Sequence, residues 1–289
     1  LGGLGDAWYQ RGRMLTAGEF FTRCVALGSE HALTGLELAY LPMLGLTRAF
    51  GGDIAGGRAD CERSAETAGR IGDLRSEMLA HDVLASVCLY LADYPASLES
   101  AERTLVLARQ LGARRFEIEA AGIRGLALVE LGRHEEGLAI LAEAAETACT
   151  QAASYCAPWM LGALARALPK AQLRRSVLTR GERLLDARSV SHNFLEFYRY
   201  AIDVAIDEHW WSEARRYAAA LEEYTREEPL PWAAVVIERG RVLAELGDGE
   251  KSATIRARIA EITDRVAEIR FDVLKPALVA AIRRLTSDR

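Results

Sequence analysis

Lysine is almost missing from this chain of 289 residues: Lys170, Lys251 and Lys275 are its lysines, and arginine supplies the remaining positive side chains. Positive charge is also outnumbered, because 41 acidic residues against 36 basic ones leave a net charge of −5. A chain with this balance has no general electrostatic attraction to nucleic acid or to anionic lipid. We therefore expect neither a nucleic acid nor a membrane as its partner.

Disulfide and metal-binding patterns are missing as well. The cysteines form no CxxC pair and no metal-ligand spacing with histidine, and their number, five, is odd. This pattern favours reduced, mostly buried thiols and a cytoplasmic location. No run of about twenty apolar residues could cross a membrane, and no signal-peptide pattern opens the chain. Because the chain begins with Leu1 inside a predicted helix, we interpret it as part of a longer protein.

Recognisable catalytic motifs are absent too. The segment GDGEKS at 247–252 lacks the order of a phosphate-binding loop and follows a predicted helix. In SVSHNF, Ser191 and His192 are adjacent and point in different directions, whereas a nucleophile and its base must converge. We interpret this segment as the start of a helix, capped by Ser191 or Asn193. The sequence predicts no catalytic residue, no metal and no cofactor, and we expect a protein that is not an enzyme.

What the chain does contain is a repeat with a period of forty residues. Small residues recur in three columns of the repeat, and a fourth column holds residues able to pack. The columns are Gly5, Gly45, Ala85, Gly125; Gly12, Gly52, Ala92, Gly132; Ala17, Gly57, Ser97, Gly137; and Phe21, Cys61, Ala101, Leu141. Small residues allow two helices to cross closely, and glycine after a helix allows a left-handed C-terminal cap.

These columns resemble the tetratricopeptide pattern, whose unit is two antiparallel helices. The resemblance predicts an all-α fold, an alpha–alpha superhelix of about seven helical hairpins followed by a capping helix at the C-terminus. We expect residues 1–289 to form a single solenoid. Gly28, Gly72 and Gly112 each follow a long helical pattern and are predicted to end the second helix of a hairpin.

The first helix of each hairpin lines the concave face in repeats of this kind, which predicts a binding groove there. Aromatic and arginine side chains commonly anchor such interfaces. The same register also places Glu119 on this face. The candidate groove residues are His81, Asp82, Trp159, Arg166, Glu196, Arg199, Tyr200, Asp203, Trp232 and Arg241.

Two kinds of occupant remain open. The leading hypothesis is a peptide or protein in an open concave groove, and the alternative is a small-molecule effector enclosed by Trp159, Arg199 and Trp232. A closed pocket with convergent polar groups near residues 155–200 would favour the effector, and a shallow groove would favour the peptide or protein. Trp159 and Trp232 could equally be core residues between hairpins.

Four longer stretches resemble a narrower family. LGARRFEIEAAG, YCAPWMLGALA, VSHNFLEFYRYAID and YAAALEEYTREEPLPWAAVVIERGRVLAELG are similar to the helical C-terminal region of bacterial multidomain adenylate/guanylate cyclase–ATPase signalling proteins. The resemblance implies a non-catalytic sensor or interaction region that signals to upstream modules. The cyclase aspartates and the ATPase phosphate loop have no counterpart in this sequence. We also expect an apolar edge at residues 1–25, through which a homodimer could form.

Overall fold

The computed structural model describes residues 1–152, 155–185 and 189–287, and the described residues contain helices and no strand. The helices of the first four hairpins are α1 (Gly2–Gln10), α2 (Met14–Glu30), α3 (Thr34–Phe50), α4 (Ile54–Ile71), α5 (Leu74–Tyr90), α6 (Tyr94–Leu111), α7 (Arg114–Glu130) and α8 (His134–Gln151). Those that follow are α9 (Ala157–Ala167), α10 (Ala171–Leu184), α11 (His192–Asp207), α12 (Trp211–Tyr224), α13 (Pro231–Gly247), α14 (Ala253–Glu268) and α15 (Lys275–Ser287), with a 3-10 turn at Asp272–Leu274 before α15.

Consecutive helices pair as seven hairpins, from α1 with α2 to α13 with α14, and α15 follows them against α13 and α14. From α3 to α13, each first helix also packs on the first helix of the next hairpin, as α3 does on α5 and α5 on α7. This arrangement is a tetratricopeptide-like all-α superhelix, and the predicted fold class is confirmed.

The small residues of the repeat lie where two helices of a hairpin touch. A Cβ atom on Gly45 would lie 2.7 Å from the carbonyl oxygen of Gly57, and one on Gly137 would lie 2.5 Å from that of Gly125. Such distances are below van der Waals contact, so any side chain would push the helices apart. In the third hairpin, the hydroxyl of Ser97 donates a hydrogen bond of 2.8 Å to the carbonyl of Ala85 in the same columns. The fourth column, which includes Leu141, is fully buried.

The elbow of each early hairpin requires a left-handed residue. Gly12, Gly52 and Gly132 have positive φ, and Ala92 occupies the same column with a φ of 54°. A residue with a Cβ pays about 1–2 kcal/mol for this conformation. The sequence pattern predicted the backbone shape correctly, including the one elbow that lacks glycine.

Replacing Ala92 with glycine should therefore stabilise the protein by about 1 kcal/mol, reduced somewhat by the larger entropy of glycine in the unfolded chain. The measurement is the free energy of unfolding in urea. Gly132→Ala is the matched control, because it introduces the same strain at the equivalent elbow and should destabilise. Equal effects of the two substitutions would contradict this interpretation of the elbow.

One predicted helix end is wrong. Gly72 and Gly112 are left-handed C-terminal caps, with φ of 75° and 64°, but α2 continues through Gly28 to Glu30. A Cβ on Gly28 would lie 2.9 Å from the backbone nitrogen of Glu37 in α3. Gly28 is therefore small because α3 approaches it closely, and the left-handed residue after α2 is Ala32.

The superhelix brings its first hairpin against its sixth. The hydroxyl of Ser191 donates to the carbonyl oxygen of Tyr9. In the connection after α12, Glu228 accepts hydrogen bonds from the backbone nitrogens of Leu15 and Thr16 at 2.8 and 3.1 Å. These nitrogens lie in the first turn of α2, where backbone donors lack partners and a carboxylate is favourable. The two regions are separated by about 180 residues in sequence.

A cluster of aromatic rings joins the third, fifth and thirteenth helices. Trp232 is fully buried and packs against Phe50, Tyr90 and Phe271, with ring centroids 5.1–5.9 Å apart. Phe271 precedes the 3-10 turn, so the C-terminal end of the stack also reaches α5. The chain therefore curves until late hairpins pack on early ones, and the concave side becomes an interior.

Two further expectations concern surfaces. No helix among the described residues is long and apolar enough to span a bilayer.

At the N-terminal edge, Leu1, Leu4 and Leu15 are exposed, while Tyr9 is covered by α11. Self-association through residues 1–25 stays a prediction.

Candidate functional site: the inner pocket

The curvature of the superhelix creates a pocket on its concave side, which we call the inner pocket. Its described lining comes from first helices of hairpins, namely α1, α3, α5, α7, α9 and α11, and from Tyr155 just before α9. Its cavity volume is about 70 Å³, which is several times the volume that a single buried water molecule needs. Its walls include the apolar side chains of Met43, Leu46, Phe50, Ile123 and Trp159.

Two buried carboxyl groups form one part of this lining. Asp82 of α5 is 6% exposed and Glu119 of α7 is 8% exposed, and each has one carboxyl oxygen without a hydrogen-bond partner among the described residues. Burial raises the pKa of Asp82 to about 7. Burial also raises the pKa of Glu119 well above its ordinary value, and the nearby charge of Asp82 raises it further. The positive charge of Arg115 opposes both shifts.

A second part of the lining connects α1, α9 and α11 through His192. Its Nε2 lies 2.7 Å from the carbonyl oxygen of Tyr155, and its Nδ1 lies 2.7 Å from the hydroxyl of Tyr9. Burial lowers the pKa of His192 to about 4, so the ring is neutral. Nε2 then donates to the carbonyl, and Nδ1 accepts from the Tyr9 hydroxyl. Asn193 donates to the same carbonyl at 2.7 Å.

The predicted capping role of this segment is wrong. Ser191 precedes α11, but no side-chain hydrogen bond caps the helix there. The side chains of Ser191, His192 and Asn193 instead bind neighbouring hairpins. Their adjacency therefore reflects three separate contacts between helices.

A buried ion-pair network forms the third part of the site. Arg199 lies 2.8 Å from a carboxyl oxygen of Glu196 and 3.5 Å from one of Asp203, and its guanidinium is 3.8 Å from the ring centroid of Tyr200. Arg239 of α13 forms an ion pair with Asp203. The hydroxyl of Tyr90 donates to Glu196. Arg199 is therefore already engaged by two carboxylates.

The structure brings half of the predicted groove residues together in the inner pocket. They are Asp82, Trp159, Glu196, Arg199 and Tyr200. Asp203 lies behind them in the ion-pair network. His81 is half-buried and is not among the described residues that line the pocket. Arg166 lies 3.8 Å from Glu130 and 3.9 Å from Asp207, in a separate surface groove.

Two predicted groove residues lie elsewhere. Trp232 belongs to the aromatic core described above, as the alternative interpretation of this tryptophan allowed. Arg241 faces a different groove between α12 and α14, where it pairs with Glu222 at 2.6 Å. The residue of α13 that faces the network is Arg239, two positions earlier. The repeat spacing therefore placed the inward-facing arginine of α13 two residues too far along the chain.

Tyr9, Tyr155 and His192 are among the lining residues that the sequence argument missed. Tyr9 lies on α1, for which the sequence argument named no inward-facing residue. Tyr155 and His192 follow irregular connections, for which the spacing gives no register.

A groove adjoins the inner pocket. The volume of this groove is about 500 Å³, and its lining shares Tyr9, Met43, Leu79 and Tyr155 with the inner pocket. Arg115 lies in this groove with its guanidinium 3.8 Å from the ring centroid of Tyr155. The groove and the inner pocket therefore share one wall. Among the described residues, no three histidine, cysteine, aspartate or glutamate side chains converge as a metal site would need.

The raised pKa of Asp82 makes a prediction about stability. Its folded pKa of about 7 exceeds its ordinary value of 3.8, so the folded state binds more protons than the unfolded state between these values. Stability should therefore fall as pH rises through this window. Asp82→Asn removes this loss and should be more stable than the wild type at pH 8 by roughly 2–4 kcal/mol, with little difference from ionisation below pH 4.

Thermal unfolding of both proteins at pH 4, 6 and 8 measures this effect. Glu119 should contribute in the same sense, so the wild type retains less stability at pH 8 than at pH 4. A stability difference between the two proteins that is the same at every pH would contradict the buried, proton-binding state of Asp82.

Comparison with known proteins gives a fold and no family. No protein-family model matches the chain, and no curated protein matches it. Among solved structures, the crystal structure of a Rap protein complexed with Competence and Sporulation Factor has a TM-score of 0.61 and 14% sequence identity. The match covers 86% of this chain and 74% of that one. At this identity the likeness supports the tetratricopeptide-like helical fold alone.

Proposed function

We propose that this chain is a non-catalytic sensor region that holds an effector in the inner pocket. The observation that carries the proposal is the convergence of six first helices on one pocket in which two buried carboxyl oxygens lack partners. A buried polar atom without a partner costs about 1–3 kcal/mol. A ligand that supplies the missing partner recovers this free energy, which favours binding at this point of the molecule.

The pocket also offers a mechanism for signalling. It is lined by Tyr9 from the first hairpin and by His192, Glu196 and Arg199 from the sixth. An effector that contacts both regions binds the closed curvature more tightly than an opened one. Its differential affinity for the two states then sets how far occupancy shifts any attached module.

The size of the inner pocket favours a small molecule over a folded protein domain. This was the alternative hypothesis from the sequence, with the difference that Trp232 contributes to the core instead of enclosing the effector. A second candidate, a short peptide, is favoured by the groove that continues from the pocket. A Rap protein, which has a similar fold, has been crystallised with Competence and Sporulation Factor, and this also supports the binding of an effector.

The resemblance to cyclase–ATPase signalling proteins supports the wider context. We propose that residues 1–289 act as one unit, in the cytoplasm, and that the modules receiving the signal are of the cyclase–ATPase kind. Neither a cofactor nor a metal takes part in this function.

A pocket-filling variant tests the proposal. Ser86 of α5 lines the pocket, and Ser86→Phe should occupy part of it, whereas Ser212→Phe adds the same ring at an exposed position of α12. A panel of amines, organic acids, nucleotides and short peptides is screened for an increase in melting temperature. We expect at least one compound to stabilise the wild type and Ser212→Phe but not Ser86→Phe. If no compound distinguishes Ser86→Phe from the wild type, the proposed function is wrong.

A further inference from the structure

The two carboxyl groups of the inner pocket indicate which chemical class of effector it accepts. We propose that the effector carries an ammonium group on an apolar body, and that the ammonium lies between Asp82 and Glu119. This inference rests on the proposed function and makes it more specific. The ammonium can belong to a small amine or to the amino terminus of a short peptide, and the experiment below distinguishes these sources.

The first support is that two buried carboxyl oxygens in the pocket lack hydrogen-bond donors among the described residues. Asp82 and Glu119 are both more than nine-tenths buried, line the same pocket and each keep one oxygen without a partner among the described residues. An ammonium group has three donors and no acceptor, so it supplies what both oxygens lack. A charge-assisted hydrogen bond of this kind is about twice as strong as one between neutral groups.

The second support is the placement of the neighbouring cations. Arg199 also lines the pocket but is paired with Glu196 and Asp203. Arg115 is exposed in the adjoining groove and stacks on Tyr155. Among the ion pairs of the described residues, neither arginine is paired with Asp82 or Glu119. The two carboxyls therefore form an acidic site that a positive ligand can complete.

The third support is the composition of the walls. Tyr9, Tyr155 and Trp159 bring aromatic rings to the pocket that contains the carboxyls, and Leu46 and Ile123 add aliphatic surface. Aromatic rings stabilise cations, most strongly where water is excluded. An apolar chain attached to the ammonium would gain burial against the same walls. An anion would instead place a further negative charge beside two carboxyls.

The raised pKa values of the two carboxyls agree with this placement. Burial raises the pKa of both groups, so each ionises less readily than an exposed carboxyl. An ammonium ligand would stabilise the ionised form of both carboxyls. A metal ion is a poorer occupant, because no third carboxylate, histidine or cysteine joins the two carboxyls among the described residues.

The experiment compares three probes of equal length: butylamine, 1-butanol and butanoate. Binding to the whole chain is measured by calorimetry and by melting temperature at pH 7.5 and constant ionic strength. We expect butylamine to bind at least about tenfold more tightly than 1-butanol, and butanoate to bind more weakly than 1-butanol. Equal affinities for butylamine and 1-butanol would overturn the inference.

Variants locate the effect. Asp82→Asn and Glu119→Gln should each abolish the preference for butylamine over 1-butanol, while Glu117→Gln should keep it. Glu117 is the matched control, since it lies on the same helix and pairs with Arg114 outside the pocket. Because Asp82→Asn should fold at least as stably as the wild type, lost binding cannot be attributed to unfolding. A preference that survives both pocket variants would also overturn the inference.

Leucylglycylglycine with a free or an acetylated amino terminus identifies the source of the ammonium. Tighter binding of the free peptide than of butylamine, with loss on acetylation, supports a peptide terminus, whereas weaker binding of the peptide supports a small amine. If 1-butanol or butanoate binds as well as butylamine and Ser86→Phe removes that binding, the pocket holds effectors but the ammonium inference is wrong. If Ser86→Phe removes no binding, the proposed function fails as well.

Discussion

Leu141→Asp should destabilise the protein by at least about 5 kcal/mol, which is the largest effect of a single substitution that we predict. Leu141 is fully buried in α8 and faces Gly125 of α7, where a Cβ on that glycine would lie 2.7 Å from the backbone nitrogen of Leu141. The substitution removes apolar packing and leaves a carboxylate without a partner in a closely packed seam. Neither helix can move away without losing the close contact.

Urea unfolding followed by circular dichroism measures this effect, with Ala139→Asp as the control. Ala139 is exposed two residues earlier on α8, so the same carboxylate there remains solvated. We expect a change within about 0.5 kcal/mol for the control. Equal stabilities of the two variants would mean that the register of the fourth hairpin is wrong.

Arg199→Ala should destabilise the protein by about 3–5 kcal/mol, because it leaves the buried carboxylate of Glu196 without its arginine and removes one of two arginines from Asp203. Arg199 is 3% exposed and contacts Glu196 at 2.8 Å and Asp203 at 3.5 Å. Both carboxylates are largely buried as well. The loss should be reduced in Arg199→Ala combined with Glu196→Gln, because the carboxylate that lost its arginine is then a neutral amide, while Asp203 keeps its ion pair with Arg239.

The control for Arg199 is Arg216→Ala. Arg216 pairs with Glu182 at 2.6 Å and Glu213 at 2.9 Å, so its geometry is comparable, but all three side chains are about one-third or more exposed. Exposed pairs contribute about 0–1 kcal/mol. Chemical unfolding of both variants is the measurement. A loss at Arg199 no larger than that at Arg216 would show that the network is solvated.

The early hairpins could be predicted from sequence because their determinants are local and periodic. The requirement for small residues at Gly45, Gly57, Gly125 and Gly137 comes from contact between two helices of one hairpin, and each pair is twelve residues apart. The elbow requirement is more local still, since it concerns one residue's φ. Even Ala92 follows it.

Residue spacing could not predict which residues of the later hairpins face inward. The forty-residue period ends after the fourth hairpin, and the connections before α9, α11 and α13 differ in length. Arg241 was therefore expected to face inward, when Arg239 does. The burial of Trp232 depends on Phe50 and Tyr90 from much earlier hairpins. A sequence pattern within one hairpin therefore cannot predict this contact.

The composition of the inner pocket was predictable only in part. Asp82 and Glu119 each follow from the register of their own helix as inward-facing residues. Their sharing of one pocket with Tyr9 and His192 depends on the curvature of the whole superhelix. That curvature accumulates from small rotations between neighbouring hairpins, which the sequence pattern does not specify.

The central claim is that the superhelix closes, bringing α1 onto α11 to form the inner pocket. A double-mutant cycle with Tyr9→Phe and His192→Leu tests it most directly, because the Tyr9 hydroxyl lies 2.7 Å from Nδ1 of His192 across 183 residues of sequence. We predict a coupling free energy of about 0.5–3 kcal/mol between the two substitutions in urea unfolding. Additive effects, with a coupling below about 0.3 kcal/mol, would contradict the closure and with it the pocket.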